Sequence, residues 1–435
     1  MGNKSGTETE QIQEIKNISS AEEKLSEERK AFVLKATQVT TILFCMNPAN
    51  VFFVSSYSET TFACFTFLGH YLFARASIFH IKNKDRGFSD MFIRFVFLAG
   101  ATMVWMVASY ARSNGSLSSV FLFINLCGHL VNVAFDQIGL GGEKAGNITN
   151  DDSSESTWKL ERLRRCVETF LDIAKYLLSH ALPMVAIVAP VIYHDRNGIY
   201  LHCHHENYSD KPTWCNFVDN TKHDESKFSL YAFVQRRHWN VGFLHYYELK
   251  QIPNFLLAGP ILFLGGFGAY HWIVNSWQFQ TRKGPLQDRI IGMEKNKNRS
   301  KGWIMEKIVD TFHWAFAALS AMHDTYFAVQ STSSNKGFQI DRNRYILLGP
   351  NMLAHYAILA GFTFLGLTIA HVQISTRMIC SSCPAVYWYM AFIMLDSSDT
   401  DFDKQKRWNS KFLWRYLIVY NVLGMILHVN WLPWT

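Results

Sequence analysis

Three clusters of polar residues stand at the ends of apolar runs, where ionisable side chains are costly unless they are paired or used. The first is Asn47-Pro48-Ala49-Asn50 followed by Ser55-Ser56-Tyr57-Ser58-Glu59, which sets a carboxylate at the mouth of an apolar segment. Glu59 can serve as an acid or base there, or it can simply meet the helix dipole with Ser58 as cap. The second is Arg112-Ser113-Asn114-Gly115, a turn too short to leave a membrane surface. Its guanidinium can grip a phosphate bidentately, with Asn114 and the backbone adding donors. Alternatively, Arg112 snorkels to the headgroups and Asn-Gly only makes the turn. The third carries Trp239, Asn240, Tyr246, Tyr247, Glu248, Gln251 and Asn254. Rings that stack on pyranose faces beside amides that bond hydroxyls suit sugar recognition. An aromatic belt would use the Trp and Tyr, but it leaves Asn240, Glu248, Gln251 and Asn254 without a reason. His371, Gln373 and Arg377 follow a later apolar run and either add donors to a phosphate site or sit at the interface. His202, Cys203, His204, His205 and Cys215 have the residue types of a zinc site without its paired spacing, so no metal is expected.

The elements that must position these residues are apolar helices. Aromatics make up 15% and charged residues only 18% of the 435 residues, a mix that suits lipid contact. About nine segments approach span length, beginning near Phe32, Thr60, Phe92, Leu117, Glu168, Asn254, Tyr345, Cys383 and Phe412. The fold expected is all-α: a polytopic membrane protein of about nine transmembrane helices. The domain plan is a polar cytoplasmic tail over 1–31, a membrane domain over 32–277 with a lumenal loop at 194–253, a basic cytoplasmic segment over 278–344, and a C-terminal membrane domain over 345–435. Trp303 to Gln330 reads as an amphipathic helix on the cytoplasmic surface.

The net charge of +7 is no case for nucleic acid, because the basic residues sit in short segments between apolar runs. Arg282 to Lys301, Lys82 to Arg86, Arg162 to Arg165 and Lys404 to Lys411 fall on one side without adjustment, and that side is cytoplasmic. Glu59, Arg112, the Trp239 block and His371 then share the opposite face. A disulfide between Cys203 and Cys215 requires that face to meet an oxidising compartment. A lipid or solute transporter would need charges near mid-membrane and related halves, and neither is visible.

Taken in order, Leu43-Phe44-Cys45-Met46-Asn47-Pro48-Ala49-Asn50-Val51-Phe52 with Tyr57-Ser58-Glu59, Arg112-Ser113-Asn114-Gly115, the Trp239 to Asn254 block, His371-Val372-Gln373 with Thr376-Arg377, and Leu432-Pro433-Trp434-Thr435 resemble the family of GPI mannosyltransferase 2. The resemblance implies a glycosyltransferase core of the GT-C type in the endoplasmic reticulum membrane. It would move mannose from dolichol-phosphate-mannose, its donor substrate, in α-1,6 linkage onto a mannosylated GPI precursor, with no cofactor. Membrane lipids are its surroundings, and there is room for an accessory membrane subunit. The resemblance makes Arg112 and Arg377 candidates for the phosphate. Asn50, Tyr57, Asn114, Trp239, Asn240, Tyr247, Gln251, Asn254, His371 and Gln373 become candidates for the rest of the substrate shell. The family's expected catalytic aspartate lies in a Trp-Asp loop, and nothing like it precedes Phe32. Glu59 and Glu248 therefore stand as the candidate acids, and the expectation is a shortened or variant form without transfer activity of its own. A non-catalytic splice product or subunit that binds lipid-linked sugar is the alternative.

Overall fold

The computed structural model describes residues 5–55, 57–81, 88–143, 155–204, 212, 214–215, 229–239, 241–283, 346–349, 352–395 and 403–430. Every regular element among them is helical. In chain order they are α1 (Ser5–Cys45), α2 (Asn50–Val54), α3 (Glu59–Ile81), α4 (Phe88–Ala111), α5 (Ser119–Glu143) and α6 (Glu155–Ile199). These are followed by α7 (Leu230–Trp239), α8 (Ile252–Lys283), α9 (Leu353–Thr368), α10 (Ser375–Ser382), α11 (Pro384–Leu395) and α12 (Asp403–Val429). The polar residues from Ser5 onward run without a break into the first apolar segment, since Glu, Lys, Gln and Ala are good helix formers whatever their solvent.

Among the described residues, four helical stretches are long and apolar enough to cross a bilayer: Met91–Ala111, Cys166–Cys203, Leu249–Ser276 and Asn409–Val429. A fifth is made if α10 and α11, bent by 85° at Cys383, count as one broken span. The chain is thus a multi-pass membrane protein, and the described residues hold fewer self-sufficient spans than the nine expected. The reason is local. Helix α9 has only 16 residues, while α3 carries His70 and Arg75 among its apolar residues. Helices lined by other helices can hold such groups, whereas lipid-facing ones cannot. The spans that do qualify expose bare apolar side chains, among them Phe92 and Met103 on α4, Leu256 and Phe263 on α8, and Val419 and Met425 on α12. Trp303 to Gln330 and the basic segments at 82–86 and 289–301 lie outside the described residues.

Two cores hold the bundle. One gathers Leu43, Phe52, Ile261, Tyr356, Tyr387 and Leu417 from the end of α1, α2, α8, α9, α11 and α12, so helices from both ends of the chain share it. The other packs Phe73, Trp105, Phe121 and Ile187 from α3 to α6. The Asn47-Pro48 turn between α1 and α2 is clamped from α12, where Asn421 Nδ2 donates to the Met46 carbonyl at 2.9 Å. That clamp fixes the strand of chain leading to Glu59.

Candidate active site

Glu59 opens α3, Arg112 follows the last residue of α4, and Arg377 lies in the first turn of α10. The fold brings these three together. Arg112 Nη1 pairs with Glu59 Oε1, and Arg377 Nη1 stands 3.5 Å from the same oxygen. The carboxylate side chain is 1% exposed, while the two guanidiniums are 23% and 21% exposed. One buried anion therefore gathers two cations, leaving a surplus positive charge whose open side faces outward. Aromatic faces support the cations: Arg377 lies 4.6 Å from the Phe52 ring centroid and 5.7 Å from that of Tyr57, and Arg112 lies 5.8 Å from that of Phe62. Glu59 Oε2 and Arg377 Nε are buried without a hydrogen-bond partner among the described residues.

The turn after α4 is built to hold Arg112 in this place. Asn114 Nδ2 donates to Ser382 Oγ at 3.0 Å, tying the turn to the helix that carries Arg377. Gly115 is needed for closeness, since a Cβ there would fall 2.6 Å from the Ala108 carbonyl carbon and the Ser109 nitrogen. Asn50 starts α2 with its backbone N–H on the Asn47 carbonyl, 3.0 Å away. Tyr57 sits edge-on to Phe52 and His428.

Arg112 also lines a cavity of about 360 Å³ together with Tyr110, Ser113, His194, Asp195 and Tyr231. Asp195 Oδ1 accepts from Ser229 Oγ at 3.1 Å and from the Tyr231 backbone N–H at 2.7 Å. Ser113 Oγ donates to the Tyr231 hydroxyl at 2.9 Å, and the Tyr110 and His194 rings meet at 4.8 Å. Sequence reasoning singled out none of Tyr110, His194, Asp195 and Tyr231. The signal available was the His194-Asp195-Arg196 run just past the expected end of a span.

The Trp239 to Asn254 block is placed differently. Its backbone hooks onto the end of α9: Leu244 N–H donates to the Thr368 carbonyl at 2.6 Å and Gly242 N–H to that of Ile369 at 3.3 Å. Tyr247 donates its hydroxyl to the Leu367 carbonyl at 2.7 Å. Asn254 Nδ2 donates to the Tyr246 hydroxyl at 3.1 Å and to Gln251 Oε1. Glu248 pairs with Lys250 on the surface. The Tyr246 and His371 rings lie 3.9 Å apart. Burial pushes the Tyr246 phenol up and the His371 imidazole down from their ordinary values. Trp239 ends α7 with its ring exposed. Asn240 and the Gln373 side chain lie outside the described residues. From His371 a short turn, Val372–Ile374, leads into α10 and Arg377, and this is the block's link to the acid and its two cations. Beyond α6, Cys203 and Cys215 are joined in a disulfide.

Comparison with known proteins decides the family. The model of the mannosyltransferase (PIG-V) family matches residues 24–138 and 153–435. The chain belongs to that family. Members of the PIG-V family are glycosyltransferases, so the acid flanked by two cations lies in a membrane enzyme. The chain is similar to GPI alpha-1,6-mannosyltransferase 2 of Cricetulus griseus, 25% identical over 432 residues that cover 91% of this chain and 69% of the relative. The Homo sapiens protein of the same name is 24% identical over 445 residues with the same shares. GPI mannosyltransferase 2 of Schizosaccharomyces pombe is 29% identical over 233 residues, 53% of this chain and 36% of its own. No solved structure matches this PIG-V family member significantly.

Proposed function

We propose that this chain transfers the second mannose, in α-1,6 linkage, from dolichol-phosphate-mannose to the mannosylated GPI precursor on the lumenal face of the endoplasmic reticulum. The observation that carries the reading is the buried Glu59 carboxylate holding two half-open guanidiniums beside one another. Departure of dolichyl phosphate puts negative charge on the phosphate oxygens, and preorganised cations lower the energy of that state without having to reorient. Arg112 and Arg377 supply that charge. Glu59 keeps the two cations from repelling each other apart, and Asn114 holds their helices in register. The closeness of Arg112 and Arg377 around Glu59 supports a chain able to hold the donor's phosphate.

The exposed side of the Trp239 block, with Trp239, the Tyr247 ring and Glu248, is offered to the acceptor sugar, while its buried amides and phenols hold the loop. The Cys203–Cys215 bond supports a lumenal setting for the loop after α6, since such bonds persist in oxidising compartments. Basic residues at the other ends of the helices, Arg164 at the start of α6 and Lys411 in α12, support the opposite side as cytoplasmic. In this orientation the acid, both cations and the block share the lumenal face.

The test is transfer of radiolabelled mannose from dolichol-phosphate-mannose to a one-mannose GPI acceptor in microsomes from cells lacking that activity. The chain is expected to restore transfer. Arg112→Lys and Arg377→Lys keep the charge but lose the planar fork, and each should lower turnover by roughly 10²-fold, the scale of removing one preorganised donor. Undiminished transfer in both variants would take the phosphate away from this site.

A further inference from the structure

In a glycosyl phosphate the sugar follows directly on the phosphate, so a donor held at the arginine pair needs room for its sugar beside one of the two guanidiniums. Among the described residues two regions adjoin the pair. Arg377 leads through the turn Val372–Ile374 and His371 to the Trp239 block, which is offered to the acceptor. Arg112 borders the cavity of about 360 Å³ between the ends of α4, α6 and α7. We propose that this cavity takes the mannosyl ring of the donor and that Asp195 is the residue that binds its hydroxyls; the proposal rests on the transferase reading. The two substrates then come to the cluster from two sides, the donor past Arg112 and the acceptor past Arg377.

The polarity of the cavity matches that of its ligand. A cation, Arg112, stands at one end and a carboxylate, Asp195, at another, so a glycosyl phosphate fits with its phosphate on Arg112 and its neutral, hydroxyl-rich part toward Asp195. The size lies in the range of small-molecule sites, and the rings of Tyr110, His194 and Tyr231 offer faces to a pyranose. Asp195 is held with one oxygen engaged and the other open. Oδ1 accepts from Ser229 Oγ at 3.1 Å and from the Tyr231 N–H at 2.7 Å, while Oδ2 accepts no hydrogen bond from the described residues. The Tyr231 hydroxyl receives Ser113 Oγ at 2.9 Å, which ties α7 to the Arg112 turn and leaves the phenol's own proton for a sugar oxygen. Asp195 binds and is asked for no proton transfer, so its loss belongs in donor affinity.

The experiment is equilibrium binding of radiolabelled mannose 1-phosphate to the purified full chain in detergent, competed with inorganic phosphate and with phosphoethanolamine. Mannose 1-phosphate should bind about tenfold or more tighter than inorganic phosphate, the scale of hydrogen bonds to a charged partner. Asp195→Asn keeps an oxygen for the Ser229 and Tyr231 bonds but turns the open acceptor into an amide donor, so it should remove most of that preference while phosphate binds as before. A competing role is structural, because the same carboxylate steadies the start of α7. Ser229→Ala deletes the hydroxyl that receives the Ala232 N–H at 3.2 Å, loosening α7 with the carboxylate in place, and should keep most of the preference. In the microsomal assay, Asp195→Asn should raise the KM for the donor far more than it lowers kcat, with the KM for the acceptor near wild type. The proposal is overturned if mannose 1-phosphate binds no tighter than phosphate, if phosphoethanolamine binds tighter by setting its ammonium on Asp195, if Asp195→Asn keeps the preference, or if Ser229→Ala loses as much of it. Each of these leaves phosphate on the arginine pair. Failure of every phosphate ligand to bind overturns that assignment and the proposal with it, whereas a chain that binds mannose 1-phosphate in this way yet moves no mannose keeps the subsite and loses the transfer step.

Discussion

The arginine–glutamate cluster and the Trp239 block are built from the same kinds of residue at the same ends of helices, yet their polar groups are disposed in opposite ways. In the block, Asn254 bonds Tyr246 and Gln251, Tyr247 bonds a carbonyl of α9, and Glu248 pairs with Lys250. Donors meet acceptors and charges cancel. Around Glu59 two cations share one anion, and buried polar atoms on Glu59 and Arg377 have no partner among the described residues. An unmade hydrogen bond in a buried place is expensive, so it persists where something outside the protein completes it. Surplus charge and incomplete bonding, more than residue type, separate a site from the scaffold that carries it.

The sharpest way to break this contrast is at Glu59. Glu59→Ala leaves two guanidiniums facing each other around a buried gap, and removing one partner of a buried ion pair costs about 3–5 kcal/mol. The expected result is a protein that loses its folded fraction in detergent as well as its transfer activity. A variant with wild-type thermal stability would mean that the carboxylate does not hold the cations. In the block, Tyr246→Phe removes only the hydroxyl that receives the Asn254 amide, a loss of about 1 kcal/mol. Thermal unfolding should register that change while turnover stays near wild type. Glu248→Gln should be milder still in stability, about 0–1 kcal/mol for an exposed ion pair. Its effect belongs in the KM for the acceptor, raised a few-fold. A loss in turnover as large as that of the arginine variants would erase the distinction between the two regions.

Much of this was legible in the sequence, and what escaped has a physical cause. Helical class follows from long apolar runs, and the shared face of Glu59, Arg112 and Arg377 follows from where the basic connectors lie. That the three side chains touch does not follow. Residues 59 and 112 stand at the two ends of the packed pair α3 and α4, residue 377 lies far along the chain in α10, and no local period links them. Asp195 escaped for a related reason: a lone carboxylate after a span looks like any interfacial residue until α7 folds back and Tyr231 closes the cavity over it. Within the block the sequence does not separate the side chains that hold the loop from those that face outward, since amides that satisfy each other and amides that await a ligand have the same letters. Among the described residues four or five stretches are long and apolar enough to cross on their own, because apolar runs near span length, such as α9, are also how a helix buried among helices is written.

His371 gives the smallest effect and the closest look at how the block is seated. Its ring packs 3.9 Å from Tyr246, and desolvation lowers its affinity for a proton there. The folded state therefore favours the neutral imidazole more than the unfolded chain does. The resulting contribution to stability is fully present above the ordinary imidazole value of about 6.5, and it is lost as pH falls through the lower folded value. Tyr246, shifted the other way by burial, keeps its proton throughout and contributes no slope. Mild acidification should then loosen the hook between the block and α9, raising hydrogen exchange at the Leu244 and Gly242 amides that bond to Thr368 and Ile369. His371→Phe keeps a ring against Tyr246 and removes the titration, so its exchange at those amides should be level across the same range. Equal pH dependence in wild type and variant would show that the hook is held by its backbone bonds alone, and that His371 does not help seat the block.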